Sequence, residues 1–234
     1  MTIAAIKLSE EFDTPVMVRT TTRTSHSEGI VSLGEREKAP EREFVRDMAK
    51  YCVLPHNARK LHAKVEERQK KIAELGCKSP FNRIEDGDKS IGIIASGISY
   101  CHAREVFPNA SYLKLGLTYP FPAELIKKFA ASVEKLIVIE ENDPFLETEV
   151  RALGISCIGK DRLPICGELT PDIIHESLKE LVDRPMPATT PKATVDIPVR
   201  PPVLCPGCPH RGGFYTLRKL NCTVTGDIGC YSSC

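Results

Sequence analysis

The sequence lacks tryptophan, long apolar runs and an excess of charge of either sign. Its apolar stretches, such as residues 91–98 and 136–139, are too short to cross a bilayer, which argues against a membrane protein. Lysine and arginine number 32 against 31 acidic residues, so the chain has no broad basic field and nucleic acid is excluded as a main partner. The first fifteen residues carry charged side chains without an apolar core, so we expect no signal peptide.

Cysteine, in contrast, is abundant. The chain of 234 residues has ten cysteines, and its 41% hydrophobic and 27% charged residues are typical of a globular protein. Half of the cysteines fall after residue 204. Without an export signal we expect a cytoplasmic protein, and in a reducing compartment clustered cysteines bind metal or do redox chemistry more often than they form disulfides.

The middle of the chain has the pattern of an α/β domain. Apolar runs that predict buried strands alternate with helical patterns, and they fall at residues 90–95, 112–115, 136–139 and 155–158. A last helix begins after Thr170-Pro171 and continues to residue 181. Near-continuous apolar strands separated by helices predict a mostly parallel sheet that is covered by helices.

An acidic pair, Glu140-Glu141, follows the third predicted strand. Two carboxylates at that position could be a catalytic pair. Adjacent strand residues point to opposite faces of a sheet, however, so the two side chains are poorly placed to share a proton. We therefore predict a structural or interface role for them.

The segments around this domain are more polar. Residues 1–12 predict a helix, residues 16–18 predict a short strand, and the hydroxyl- and arginine-rich residues 19–27 fit either a ligand site at the strand end or a plain surface loop. An amphipathic pattern from Leu54 to Gly76 predicts a helix packed along one stripe. The Pro-rich residues 184–204 predict an extended connector.

The last 30 residues carry the most specific pattern. Cys205 and Cys208 are separated by Pro-Gly, a helix is predicted over residues 214–220, and Cys230 follows a predicted strand at 223–225. Two cysteines at this spacing can bind one metal ion or one edge of an iron–sulfur cluster. The pattern leaves open a zinc knuckle, an iron–sulfur half-site, a redox dithiol and a purely structural pair without a ligand, although a thioredoxin-type motif would follow a strand. Candidates for a fourth ligand are Cys222, Cys234, His210 or a residue outside the chain.

Two strings in this tail closely resemble a known family. Residues 200–212 read RPPVLCPGCPHRG and residues 224–231 read VTGDIGCY. Both resemble the alpha subunit of indolepyruvate:ferredoxin oxidoreductase, a thiamine diphosphate-dependent 2-oxoacid:ferredoxin oxidoreductase. The strings FDTPV at 12–16 and RTTTRTSHS at 19–27 resemble the same subunit.

The resemblance implies an internal fragment with an α/β fold, in which a central transketolase-C-terminal-like domain is flanked by partial thiamine diphosphate-binding domains. We expect this fragment to be inactive alone. The implied organisation is the end of a pyrimidine-binding domain, a helical linker, the transketolase-C-terminal-like domain, a Pro-rich linker and the start of a pyrophosphate-binding domain, at residues 1–45, 46–87, 88–183, 184–204 and 205–234.

The resemblance also implies chemistry. The family oxidatively decarboxylates arylpyruvates with coenzyme A to aryl-acetyl-CoA and CO2, and it reduces ferredoxin. Its implied cofactors are thiamine diphosphate, Mg2+ and a [4Fe-4S] cluster, and its implied partner is a smaller beta subunit. By motif, the cluster ligands here are Cys205, Cys208 and Cys230, and the thiamine contacts are Gly226, Asp227, Ile228 and Gly229. The resemblance assigns no catalytic residue within this chain. The alternatives are another 2-oxoacid:ferredoxin oxidoreductase and a zinc-binding interaction module.

Overall fold

The computed structural model describes residues 1–36, 43–182, 185 and 204–225. Its contacts divide the chain into two units, Met1–Met186 and Pro187–Cys234. The first unit contains an α/β core and the helices that precede it, and the described residues of the second contain the cysteine-rich turn and a helix. The domain names that the resemblance implies remain predictions.

The core of the first unit is a four-stranded sheet with the order β1-β3-β2-β4. Its strands are β1 Arg83–Glu85, β2 Asp88–Ser96, β3 Ala110–Leu115 and β4 Lys135–Ile139. Strand β2 pairs in parallel with β3 and β4, while β1 pairs antiparallel with β3. The α/β class with a mostly parallel sheet is therefore confirmed.

Helices cover both faces of this sheet, which explains why its strands are apolar almost without alternation. Ile93, Tyr112 and Ile137 face one core cluster, which lies against α5 Gly97–Val106 and α8 Pro171–Ser177. Their strand neighbours, among them Ile94, Leu113 and Val138, face a second cluster on the opposite side. That cluster includes side chains of α6 Ala123–Ala130 and α7 Phe145–Ala152. A short 3-10 helix, Lys179–Leu181, follows α8.

One strand predicted for this sheet was wrong, and one strand of the sheet was missed. Residues 155–158 form a single parallel bridge, Ile137 to Ile158, because the chain turns at Gly159, where Arg162 N–H donates to the carbonyl of Gly159. The edge strand β1 was not predicted, because three residues with a charge at each end carry no apolar pattern. The helical predictions for this region agree with α5 to α8 within a few residues.

The region before the sheet is helical. It contains α1 Thr2–Phe12, α2 Thr22–His26, α3 Met48–Tyr51 and α4 Pro55–Lys78. The predictions of α1 and α4 are confirmed. Residues 16–18 do not form the predicted strand, because no described strand pairs with them. No helix of the described residues combines the length and apolarity that a bilayer crossing requires.

Candidate metal-binding turn

A tight turn begins the described part of the second unit. The backbone N–H of Cys208 donates to the carbonyl of Cys205 at 3.1 Å. Gly207 has φ of +76°, in the left-handed region where glycine avoids the clash of a Cβ atom. Proline followed by glycine at the two central positions is typical of a type II turn. Pro206 and Gly207 thus bring the two cysteines onto one reversal of the chain.

Arg211 closes this turn from its C-terminal side. Its Nε donates to the carbonyl of Cys205 at 3.1 Å, and its guanidinium also donates to the carbonyl of Leu204. The backbone N–H of Arg211 donates to the carbonyl of Cys208 at 3.2 Å. Sequence reasoning missed this role. The one available signal was a basic residue three positions after Cys208, where a long side chain can reach back to turn carbonyls.

The helix α9, His210–Lys219, begins directly after the turn. The Nδ1 atom of His210 lies 3.4 Å from Sγ of Cys208, and the imidazole stacks on the ring of Phe214 with the centroids 6.1 Å apart. The predicted helix over residues 214–220 is thus confirmed, but it begins four residues earlier. Residues 223–225 do not form the predicted strand within the described part of the chain.

The structure brings together two of the predicted site residues. Cys205 is exposed and Cys208 is half-buried, as free thiols on the same turn. Cys230 and the implied thiamine contacts at residues 226–229 lie outside the described residues. Within the described residues no three His, Cys, Asp or Glu side chains form a group that could hold a metal ion. Two thiols on one rigid turn fit an edge of a cluster, and the convergence of Cys230 on them stays a prediction.

The acidic pair of the first unit has a structural role. The buried carboxylate of Glu140 accepts the backbone N–H groups of Leu146 and Glu147 at the start of α7, at 2.8 and 2.9 Å. One Glu141 oxygen accepts the N–H of Leu169 at 3.4 Å. Burial raises the pKa of the Glu140 carboxyl, although the two N–H donors oppose that rise. These contacts support the predicted structural role.

The hydroxyl-rich residues 19–27 bond mainly to one another. Ser25 Oγ donates to Thr20 Oγ1 at 3.1 Å, and Ser27 Oγ donates to the carbonyl of Thr24 at 3.0 Å. The short helix α2 lies within this segment, and no described strand ends there, so the structure does not support a ligand site at a strand end. Of the two readings, the surface loop fits better.

Comparison with known proteins relates the chain to a class of oxidoreductase subunits. No protein-family model matches the chain. The chain is 36% identical over 97% of its length to a protein of Methanothermobacter thermautotrophicus, 37% over 96% to one of Archaeoglobus fulgidus and 36% over 99% to one of Thermococcus kodakarensis. All three are oxidoreductase subunits. Each is named indolepyruvate oxidoreductase subunit IorA, so this chain is homologous to a segment of IorA and the resemblance drawn from the motifs is confirmed.

The chain matches only part of each relative. The chain spans 40–41% of the length of these three proteins. Among solved structures, a 2-oxoglutarate:ferredoxin oxidoreductase from Magnetococcus marinus overlaps 55% of this chain and 24% of its own, with a TM-score of 0.44 and 26% identity.

Proposed function

We propose that this chain is a segment of the alpha subunit of an indolepyruvate:ferredoxin oxidoreductase. The whole enzyme would oxidatively decarboxylate arylpyruvates with coenzyme A to aryl-acetyl-CoA and CO2, and it would reduce ferredoxin. The observation that carries the proposal is identity of 36–37% to IorA over nearly every residue of the chain. The CPGC turn supports it, because the turn presents two thiols as an iron–sulfur protein requires.

The proposal assigns the cofactors by residue. Cys205, Cys208 and Cys230 would hold a [4Fe-4S] cluster, and residues 226–229 would contact thiamine diphosphate, which binds with Mg2+. When bound, thiamine diphosphate would supply an electron sink for decarboxylation, and the cluster would supply one-electron transfer. The proposed partners are a smaller beta subunit and ferredoxin, in the cytoplasm.

The described residues of the turn supply rigidity for such a site. Pro206 and Gly207 fix the reversal, and Arg211 holds the carbonyls of Cys205 and Leu204. A cluster ligand that is held in place by its own backbone needs little reorganisation when metal binds. In this proposal Arg211 is a positioning residue, since it acts on the cysteines through their backbone.

The cluster assignment can be tested on the chain itself. We would reconstitute the 234-residue chain anaerobically with iron and sulfide and measure bound iron, acid-labile sulfide and the EPR spectrum after reduction. Cys205→Ala, Cys208→Ala and Cys230→Ala should each lower the bound iron and sulfide. Cys101→Ala and Cys166→Ala are matched controls, because both thiols are exposed and lie outside the turn. Tight binding of zinc alone would favour the interaction module instead.

The substrate is tested in a chimera. The segment would replace its counterpart in the IorA subunit of Thermococcus kodakarensis, coexpressed with that enzyme's partner subunit. Coenzyme A-dependent reduction of a viologen dye should be faster with indolepyruvate than with pyruvate or 2-oxoglutarate. A preference for 2-oxoglutarate, in a chimera whose unaltered parent prefers indolepyruvate, would indicate a different 2-oxoacid enzyme.

A further inference from the structure

The two thiols of the CPGC turn have different surroundings. Cys205 is exposed, and within the described residues no hydrogen bond reaches its sulfur. Cys208 is half-buried, and its Sγ lies 3.4 Å from Nδ1 of His210, which is within hydrogen-bonding distance for sulfur. Because the neutral imidazole carries one N–H, the tautomer decides which atom donates.

The ring of His210 is held in the orientation that makes this contact. It stacks on Phe214, one turn further along α9, with an interplanar angle of 23°. The backbone on the other side is also fixed, since the N–H of Cys208 is bonded to Cys205 and its carbonyl to Arg211. The contact between the thiol and the imidazole is therefore fixed on both sides, by the backbone hydrogen bonds of Cys208 and by the stacking of His210 on Phe214.

A metal-bound cysteine is a thiolate, which accepts hydrogen bonds and has no proton to donate. The contact between Sγ and Nδ1 can then persist only if Nδ1 carries the proton. Hydrogen bonds to the sulfurs are one of the factors that set the potential of an iron–sulfur cluster, because they withdraw electron density from the ligand and stabilise the reduced state.

We propose that His210 is a positioning residue that donates its Nδ1 proton to the sulfur of Cys208 and so raises the reduction potential of the cluster. This inference rests on the proposed function, because it concerns the cluster that the turn is proposed to hold. In this proposal His210 is not a metal ligand: its imidazole contacts the sulfur of a ligand, and the cysteines bind the metal.

The primary test is the midpoint potential of the reconstituted chain, measured by EPR-monitored redox titration at one pH. His210→Phe keeps a ring that can stack on Phe214 but removes the N–H donor. It should shift the potential to a more negative value while iron and sulfide per chain stay the same. His210→Asn is the matched control, because its side-chain amide places an N–H close to the position of Nδ1, and it should restore the potential of the unaltered chain.

Two results would overturn the inference. One is a potential in His210→Phe equal to that of the unaltered chain; the other is a loss of iron in both variants, which would make His210 a ligand. If the unaltered chain forms no cluster, the proposed function loses its cluster site. The hydrogen bond is then tested separately by NMR on the chain loaded with 113Cd2+. A scalar coupling between cadmium and the Nδ1 proton is expected, and a ring protonated only at Nε2 would refute it.

Discussion

The buried carboxylate of Glu140 accepts the backbone N–H of Glu147 at 2.9 Å and thereby joins the end of strand β4 to the first turn of helix α7. The same carboxylate accepts the N–H of Leu146, so it satisfies two of the N–H groups that a helix leaves unpaired at its start. Pro144, at the N-cap of α7, provides no side-chain cap. Lys160 adds to the junction by donating to the carbonyl of Glu140 at 2.6 Å.

This junction predicts a specific pH dependence. Burial raises the pKa of Glu140 in the folded chain, so between its unfolded and folded pKa values the folded state binds more protons than the unfolded state. The free energy of unfolding that Glu140 contributes must then fall as the pH rises through that window. In Glu140→Gln this titration is absent and one N–H acceptor is lost. The stability advantage of the unaltered chain over Glu140→Gln should therefore shrink as the pH rises above 4.5, the ordinary pKa of a glutamate carboxyl.

Urea denaturation at several pH values would measure that difference. Glu134→Gln is the control, because Glu134 is exposed just before β4 and its carboxylate caps no helix in the described residues. A difference between the unaltered chain and Glu140→Gln that is the same at every pH would contradict the prediction.

Substitution of Asn82 should cause a large loss of stability. Its buried side chain donates to the carbonyls of Gly76 and Leu117 at 2.9 Å and accepts the N–H groups of Gly116 and Leu117 at 2.8 Å. It thus joins the end of α4 to the segment after β3. Asn82→Ala leaves these backbone groups without their partner, and we expect a cost of roughly 2–4 kcal/mol in the free energy of unfolding.

Chemical denaturation tests this cost against Asn57→Ala. Asn57 also donates its amide to two carbonyls, those of Met48 and Cys52, but at partly exposed sites where water can replace it. Equal losses in the two variants would show that the burial of Asn82 does not matter.

Gly159 is a second position at which substitution should lower the stability. A Cβ atom added there would lie 2.3 Å from Oε2 of Glu147, the oxygen that accepts the N–H of Lys160 at 2.8 Å. Gly159→Ala must displace that buried carboxylate, and we expect it to cost about 1–3 kcal/mol. In the control, Gly29→Ala, no described atom lies within 4 Å of the new methyl group, so the change in melting temperature should be negligible. A Gly159→Ala variant as stable as this control would show that the new methyl group does not crowd the Glu147 carboxylate.

The sequence was informative where burial on both faces forced a strand to be apolar. Strand β2 was predictable for this reason. Strand β1, in contrast, has charged ends and pairs with β3 alone among the described strands, and this pairing depends on the tertiary fold. The turn between Cys205 and Cys208 was predictable, because proline and glycine act locally. The contacts of Arg211 were not, since a side chain that bonds carbonyls six and seven residues away leaves no periodic signal.

The α/β core should fold without the rest of the chain, but where the segment begins matters. Both core clusters lie within residues 79–182, so that segment contains every side chain they need. A segment of residues 88–182, close to the domain bounds 88–183 that the resemblance implies, lacks β1 and the carboxylate of Glu85. Both oxygens of that carboxylate accept the Tyr100 hydroxyl, at 2.8 and 2.7 Å.

We expect both segments to melt cooperatively and the longer one to melt at a higher temperature, because its edge strand covers β3. Circular dichroism on heating measures this. A featureless melt of residues 79–182 would show that the core depends on the preceding helices, and equal melting temperatures would show that β1 adds nothing.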